Sequence, residues 1–254
     1  MSGILQIGVE EAKKLKNFLI EEKVDGGCVY YNKGVLLSDK RWINQNHKFP
    51  HILKELKNLN GFFIGEIAIP WGNVLLLNKK INWGRTKYYI FDILEFEGKN
   101  FREADVMTKR MKIEEIIKGF KHLSYPKRFK TFEEGWNFVL KNNTEGLVLK
   151  DMNSKVMYKC KRLIEEKLPI ITHIKGKSKG AFLLSRNGIK VKCSANSIKL
   201  VEFFNYLKFL NKKPYAEIEY CFLTPDKKPF QPRLRRIIPY EDLLKEGATN
   251  IFKN

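Results

Sequence analysis

The sequence predicts an α/β domain followed by a small five-stranded β-barrel domain. Up to Arg162, segments with the apolar periodicity of amphipathic helices alternate with apolar runs of strand length. From Leu163 onward, short strands separated by turn sequences surround one helical segment. We therefore expect a boundary between residues 1–162 and residues 163–254, and 254 residues suit two modest domains.

In the first domain the apolar spacing predicts helices over 9–20, 51–59, 111–120 and 132–140. Short apolar runs predict strands over 28–31, 35–37, 62–69, 74–77, 88–94, 146–150 and 156–160. The turn Asn32-Lys33-Gly34 joins the first two strands into a hairpin. We expect this hairpin to hold Lys23 at a rigid sheet edge.

In the second domain, turn sequences separate predicted strands over 170–174, 181–185, 189–193 and 215–222. One helix is predicted over 198–210. Several strands and one helix in about 90 residues suit a barrel of the OB type, a fold that binds oligonucleotides on one face.

The composition limits the class of protein. There are 48 basic and 28 acidic residues, a net charge of +20, and this surplus favours a polyanionic partner because lysine and arginine contacts to phosphates release counterions. A basic composition without a functional role is the alternative. The four cysteines have no metal-ligand spacing, the first residues lack a signal-peptide pattern, and no apolar run reaches membrane-spanning length. We expect a soluble, cytoplasmic or nucleoid protein without membrane contact.

Five short motifs follow one another along the first domain. They are Glu21-Glu22-Lys23-Val24-Asp25-Gly26, Phe63-Ile64-Gly65-Glu66, Ile90-Phe91-Asp92-Ile93, Thr144-Glu145-Gly146-Leu147-Val148-Leu149-Lys150 and Tyr158-Lys159-Cys160-Lys161. Each is weak alone, but together, in this order, they resemble the nucleotidyltransferase superfamily of ATP-dependent DNA ligases, RNA ligases and mRNA capping enzymes. The resemblance implies an ATP-grasp-like adenylation domain followed by an OB-fold domain. It also implies that Lys23, the lysine of Lys-x-Asp-Gly, becomes covalently adenylylated.

The implied chemistry explains why these residue types converge. An ε-amine attacks an α-phosphorus only when it is neutral, so we expect Lys159 and Lys161 to lower the pKa of Lys23. The same lysines and a divalent metal would hold the phosphates. Mg²⁺ prefers carboxylate and phosphate oxygens, and Glu66 and Glu145 are the candidate ligands.

The resemblance also implies roles in nucleotide binding. Glu21 would read the adenine amino group, and Phe91 would stack on the adenine ring. Arg41 would contact a nucleotide phosphate, and Asp25 and Gly26 belong to the same nucleotide site. Each has an ordinary alternative: a solvated glutamate at Glu21, and a core phenylalanine at Phe91. For Lys150, contact with phosphate and with solvent are equally expected.

Two departures from the family pattern stand out. Cys28 occupies the position of the arginine in Lys-x-Asp-Gly-x-Arg, and the terminal Arg-x-Asp-Lys motif is not recognisable. The segment Pro232-Arg233-Leu234-Arg235-Arg236 lies near the place where the terminal motif is expected. We expect Arg233, Arg235 and Arg236 to contact DNA, and one of them is the candidate substitute for the missing motif.

Together these features predict a monomeric ATP-dependent ligase that uses ATP and Mg²⁺ to seal 5′-phosphate/3′-hydroxyl nicks in duplex DNA. Within the class, an RNA ligase and a capping guanylyltransferase are the alternatives. From another class, a nucleic-acid-binding module that kept the fold without the catalysis is the alternative, supported by Cys28 and the degenerate terminus.

Overall fold

The computed structural model describes residues 4–39, 41–70, 72–176 and 178–245. The chain divides into two compact units, and the boundary lies between Arg162 and Leu163. This is the point at which the sequence changes from alternating helices and strands to short strands and turns.

The first unit contains eleven strands among its described residues. In chain order they are β1 (Leu5–Gln6), β2 (Phe18–Glu22), β3 (Gly27–Asn32), β4 (Val35–Ser38), β5 (Gly61–Ala68), β6 (Lys87–Phe96), β7 (Lys99–Asn100), β8 (Leu123–Ser124), β9 (Arg128–Phe129), β10 (Gly146–Asp151) and β11 (Met157–Lys161). Its helices are α1 (Val9–Ala12), α2 (Pro50–Leu56), α3 (Val74–Leu77), α4 (Val106–Ile116) and α5 (Phe132–Asn142), with a 3-10 helix over Lys80–Arg85.

The strands form two mixed sheets. The five-stranded sheet has the order β1-β11-β10-β2-β9, and one face packs a core against α1 and α5 that includes Ile20, Leu147 and Val139. The six-stranded sheet has the order β4-β3-β5-β6-β7, with β8 parallel to β6. Its core face packs on α2 and α4 through residues such as Ile52 and Ile113. Because successive side chains of a strand point to opposite faces, the residues between the core residues lie on the second face of each sheet.

The second unit is a closed barrel with the order β12-β13-β14-β16-β15. Its elements are β12 (Ile164–Ile174), β13 (Ala181–Arg186), β14 (Ile189–Ser194), α6 (Ile198–Phe209), β15 (Pro214–Tyr220), β16 (Arg233–Pro239) and α7 (Tyr240–Lys245). Inward-facing residues of the strands form one core with Phe204 and Leu207 of α6. In the described residues of both units, no helix has the length and apolar content needed to cross a bilayer.

Two predicted elements are wrong in type. Of the helix predicted over 9–20, only the short helix α1 is present. Asn17 has a left-handed backbone (φ 60°), and the residues after it form strand β2, which pairs with β10 and β9. Strand pairing with distant residues overrides the local periodicity here. The strand predicted over 74–77 is helix α3, whose N-terminus is capped where the Asn73 side chain accepts a hydrogen bond from the Leu75 N–H at 3.1 Å.

The hairpin of β3 and β4 is confirmed, with Lys33 and Gly34 both at positive φ in the turn. Its expected support of Lys23 is not. Lys23 follows β2 in the five-stranded sheet, and its backbone N–H donates to the Gly146 carbonyl oxygen at 2.9 Å. The neighbouring strand β10, rather than the hairpin, therefore fixes the lysine backbone.

Candidate functional site

Strand register brings most of the charged candidate residues to one face of the five-stranded sheet. Glu21 pairs with Val148, and Val148 pairs in turn with Lys159. Gly146 pairs with Lys161, and Lys23 continues β2 beside Gly146. Because the opposite face is occupied by the apolar core, this polar face is the surface on which Lys23, Lys159 and Lys161 converge.

Lys23 and Lys161 share one carboxylate. The Lys23 Nζ donates to Glu145 Oε2 at 2.7 Å, and the Lys161 Nζ lies 2.6 Å from Glu145 Oε1. The Glu145 side chain is 10% exposed and that of Lys23 is 23% exposed. Two cations and one anion held this close, with little solvent, form a strongly coupled charge cluster.

The pKa of Lys23 differs from the sequence-based expectation. Burial alone would lower it, but the charge and hydrogen bond of Glu145, followed by the charges of Glu66 and Asp25, raise it above its ordinary value. The prediction that neighbouring lysines lower this pKa is therefore wrong for the protein without nucleotide. Three acids around the amine outweigh the effect of burial, so the charged ammonium form of Lys23 is favoured here.

Glu66 and Asp25 are held partly protonated near this lysine. Burial, opposed by Lys23 and assisted by Glu145 and Asp25, raises the pKa of Glu66 to about 8. Burial and the Glu145 charge raise the pKa of Asp25 to about 6, although a hydrogen bond from the Val74 backbone opposes the shift. Raised pKa values of buried carboxyls show that a further negative charge here is unfavourable, and a nearby cation would offset that cost.

Glu66 gives a testable pH dependence of stability. In the folded protein it holds a proton below about pH 8, but in the unfolded chain only below about pH 4.5. Its contribution to stability is therefore full below pH 4.5 and is lost as the pH rises through 8. We expect Glu66→Gln to raise the free energy of unfolding relative to wild type above pH 8, by on the order of a few kcal/mol.

Urea denaturation of the nucleotide-free protein across this pH range measures the difference. Glu95→Gln, on the neighbouring strand β6 and with a side chain 38% exposed, is the matched control and should follow wild type. Parallel pH profiles for Glu66→Gln and wild type would show that Glu66 titrates normally.

Two glycines allow the close backbone packing at the site. A Cβ on Gly26 would lie 2.2 Å from the Ile67 carbonyl oxygen, so only glycine fits between β3 and β5. Gly146 has φ of +150°, and a Cβ there would lie 2.2 Å from the Cys160 carbonyl oxygen. Gly146 therefore allows β10 to approach β11, which aligns Glu145 with Lys161.

Glu21 lies in a different environment from the one expected. Its side chain is 1% exposed, and its Oε1 accepts a hydrogen bond from Arg110 Nη1 at 2.5 Å. The Lys150 Nζ lies 2.7 Å from the other oxygen as an ion pair, and the same ammonium donates to the Phe91 carbonyl oxygen at 2.7 Å. Both carboxylate oxygens thus face cations, which differs from the predicted contact with an adenine amino group.

Phe91 occupies a β-bulge. Ile64 pairs with Asp92 and Gly65 with Ile90, so Phe91 is the extra residue of β6. A bulge redirects a side chain, and the Phe91 ring is partly buried, with the Lys150 Nζ 5.6 Å from its centroid. Phe91 is therefore not one of the core residues of the six-stranded sheet but lies beside the cluster of Glu21 and Lys150. Asp92 faces Lys109, with Oδ1 and Nζ 3.0 Å apart.

Arg110 is the site residue that sequence reasoning missed. It lies on α4, is 4% exposed, and also donates to the Pro126 carbonyl oxygen and to Glu114, while its guanidinium lies 4.2 Å from the Tyr125 ring centroid. Its spacing to Glu114 is an ordinary i, i+4 helix pair. No local signal indicates that it meets Glu21, which is 89 positions away.

Two further residues singled out in the sequence, Cys28 and Arg41, lie on or near strands β3 and β4. Cys28 pairs with Glu66 in the register of β3 and β5. Burial, followed by the charges of Glu66 and Asp39, raises the pKa of the Cys28 thiol to about 12, so the side chain stays a neutral thiol where the family pattern has an arginine. Arg41 is exposed in the turn after β4. Its contact with a nucleotide phosphate stays a prediction.

The three candidate DNA-binding arginines, Arg233, Arg235 and Arg236, lie on β16, which the sequence reading did not predict as a strand. All three are exposed. Arg236 donates to Glu217 at 3.0 and 3.1 Å, and Arg235, the bulged residue of this strand pair, lies 3.5 Å from Glu219. The Arg235 and Arg236 side chains are 56% and 51% exposed, whereas their partners Glu219 and Glu217 are 6% and 15% exposed, so each guanidinium also faces solvent.

No protein-family profile and no curated protein sequence matches the chain. Among solved structures it is similar to a Lig E DNA ligase described as binding DNA with a minimal scaffold, with a TM-score of 0.67 and 14% identity over 94% of this chain and 100% of that one. It is similar to Pmar-Lig_Pre, with a TM-score of 0.65 and 18% identity over 90% of this chain and 65% of that one. A mycobacterial DNA ligase D complexed with ATP and MES has a TM-score of 0.56 and 16% identity, over 93% of each chain.

At identities of this size the likeness concerns the fold. The first and the third of these structures are DNA ligases, and they match the fold that the five motifs of the sequence predict. The resemblance is thereby confirmed at the level of the fold: the chain has the fold of these DNA ligases.

Proposed function

We propose that this chain is an ATP-dependent polynucleotide ligase that seals 5′-phosphate/3′-hydroxyl nicks in duplex DNA through a covalent lysyl-AMP at Lys23. The observation that carries the proposal is the contact of Lys23 with Glu145, itself paired to Lys161, on the polar face of a sheet in a ligase-like fold. Lys23 is surrounded by three acids and by closely packed backbone at Gly26 and Gly146, which is not the environment of an ordinary solvated lysine.

The reaction consists of three transfers. The Lys23 amine attacks the α-phosphorus of ATP, forming a P–N bond while the bond to pyrophosphate breaks. The 5′-phosphate of the nick then displaces Lys23 and takes the AMP. Last, the 3′-hydroxyl attacks that 5′-phosphate, forming the phosphodiester and releasing AMP. Positioning and charge stabilisation carry most of the catalysis in phosphoryl transfer.

The first transfer requires Lys23 to lose a proton. Glu145 accepts the Lys23 hydrogen bond at 2.7 Å and is therefore positioned to receive it. Exclusion of water by a bound nucleotide would make this ion pair less favourable and would help Lys23 to lose its proton. Lys161 and Lys159 then face the negative charge of the phosphates.

Mg²⁺ fits this site through carboxylates and substrate phosphates together. In the part of the chain that the structure describes, no three His, Cys, Asp or Glu side chains are grouped to hold a metal ion. Mg²⁺ in nucleotide enzymes is usually bound by one or two carboxylates plus phosphate oxygens. Glu66 and Glu145 are the proposed ligands, and a bound Mg²⁺ would favour the ionised form of Glu66 and offset the negative charge of the phosphates.

The base of the nucleotide is proposed to lie against Phe91. Its bulged, partly buried ring is outside the sheet core and next to Lys150. Asp25, Gly26 and Arg41 remain proposed nucleotide contacts. Glu21, enclosed by Arg110 and Lys150, is proposed to keep this end of the site charged and rigid.

The barrel is proposed to be an OB-type domain that contacts the DNA backbone through Arg233, Arg235 and Arg236. Its five-stranded closed topology and the exposure of these arginines support this assignment. The net charge of +20 favours a polyanionic substrate. We propose that a monomer acts on the nick, because no step of the chemistry requires a second chain.

A comparison of three substrates with ATP and Mg²⁺ tests the proposal. They are a nicked DNA duplex, an RNA nick bridged by DNA, and single-stranded RNA. We expect the DNA nick to be sealed fastest, with little dependence on base sequence, because phosphate contacts position a protein without reading bases and because A-form and B-form helices differ in shape. If single-stranded RNA is joined fastest, an RNA ligase replaces this assignment.

A further inference from the structure

One exposed aromatic side chain lies near the proposed site without a role in it. Trp42, in the turn after β4, is 59% exposed. Its ring stacks on that of Tyr30, with centroids 4.9 Å apart and planes 24° apart. One face of the indole is therefore supported by the protein, and the rest of the side chain is largely open to solvent.

The turn holds this indole in a fixed position. Trp42 has a left-handed backbone, φ 53°, which is unusual for a bulky residue and persists only where the surroundings enforce it. The Trp42 backbone N–H donates to the Ser38 carbonyl oxygen at 3.0 Å, and the Ser38 backbone N–H donates to the Ile43 carbonyl oxygen at 3.0 Å. The Tyr30 hydroxyl donates to Asp39 at 2.8 Å, which fixes the ring beneath the indole.

The indole lies on the same sheet face as the carboxylate Glu66. In the register of β3 and β5, Tyr30 pairs with Ile64 and Cys28 pairs with Glu66, and residues two apart on a strand share a face. Two residues along a strand span about 7 Å. The stacked pair is thus continuous with the surface that contains the proposed catalytic cluster.

The size and charge of this patch fit a nucleobase better than a protein. Trp42 and the adjacent Ile43, 50% exposed, make a small apolar patch, whereas specific protein interfaces bury about 1,200–2,000 Å². Arg41 beside it is exposed and cationic. Surfaces that bind unpaired strands combine cations for the backbone with aromatic rings on which bases of any sequence stack, and a nick is the point of a duplex at which the base stack of one strand is interrupted.

We infer that Trp42 is a stacking site for a base of the nucleic-acid substrate next to the nick. This inference rests on the proposed function, since it requires a polynucleotide near Lys23. The indole would bind the base face while Tyr30 supports it from behind, and the contact would be tolerant of base identity.

The test measures binding of a nicked DNA duplex to wild type, Trp42→Ala and Trp42→Phe. Base stacking on an aromatic ring contributes roughly 5-fold to 100-fold in affinity, so we expect a loss of that size for Trp42→Ala and a smaller loss for Trp42→Phe. Ile81→Ala is the matched control, since Ile81 is 88% exposed in the same unit and should bind as wild type does. Thermal melting checks that each variant is folded.

A second set of duplexes, each with one abasic position near the nick, identifies the base. At the stacked position the abasic duplex should weaken wild type but leave Trp42→Ala unchanged, because the variant has already lost that contact. Equal binding by Trp42→Ala and wild type would overturn the inference alone. A change of oligomeric state in Trp42→Ala would instead assign the indole to a protein contact and also overturn it. Failure of wild type to bind any nicked duplex would reject the proposed function itself.

Discussion

Sealing of a nicked duplex with ATP is expected to be lost when Lys23 is replaced by alanine. A methyl group cannot attack phosphorus, so the rate should fall to below about one thousandth of wild type, as for other covalent nucleophiles. The same variant should still join a nick whose 5′-phosphate already carries AMP, because that step needs no amine nucleophile. Gel assays of both substrates measure the two rates separately.

The structure supplies a control for this experiment. Lys33 is also a lysine of the first unit, with a side chain 60% exposed and paired only loosely to Glu95 at 3.3 Å. Lys33→Ala should seal the nick at the wild-type rate. If Lys23→Ala seals from ATP as fast as Lys33→Ala, the assignment of Lys23 as the nucleophile is rejected.

Arg110→Ala is expected to destabilise the first unit by about 3 kcal/mol, since removing one partner of a buried ion pair leaves the other charge uncompensated. Arg110 and Glu21 are 4% and 1% exposed, and their contact joins helix α4 to strand β2, which lies between β10 and β9 in the five-stranded sheet. Urea denaturation compares the variant with Arg102→Ala, which removes an exposed arginine of the same unit.

A second substitution separates charge from packing. If the loss comes from the Glu21 carboxylate, which then keeps only Lys150 as a cationic partner, adding Glu21→Gln to Arg110→Ala should recover part of it, because a neutral amide is less costly to bury than a charge. Arg110→Ala and Arg102→Ala variants of equal stability would contradict the claim that this ion pair matters for the fold.

The sequence predicts the residues of the site better than their environment. Lys23, Glu66, Phe91, Glu145 and Lys161 come from separate motifs, and they lie on or beside five strands of the two sheets. The order of the five motifs along the chain predicts the site residues because each motif lies on a strand or at the end of one. The raised pKa of Lys23 could not be anticipated, since it depends on how closely three acids approach one amine.

The elements that were mispredicted depend on distant contacts. Residues 18–22 have a helix-like apolar spacing, but they become a central strand between β10 and β9. Arg110 has the same limitation, because its partner Glu21 is remote in sequence and each looks like an ordinary solvated residue when read locally. The strand β16 was hidden because its exposed arginines interrupt the apolar alternation.

The central claim, a covalent nucleotide on Lys23, is tested most directly by mass spectrometry of the wild-type protein after incubation with ATP and Mg²⁺. Parallel incubations use GTP and NAD. We predict an AMP adduct formed from ATP alone, and proteolytic peptides that locate it on Lys23. An adduct formed only from GTP would indicate a capping guanylyltransferase, and the absence of any adduct would contradict the account and favour a non-catalytic nucleic-acid-binding module.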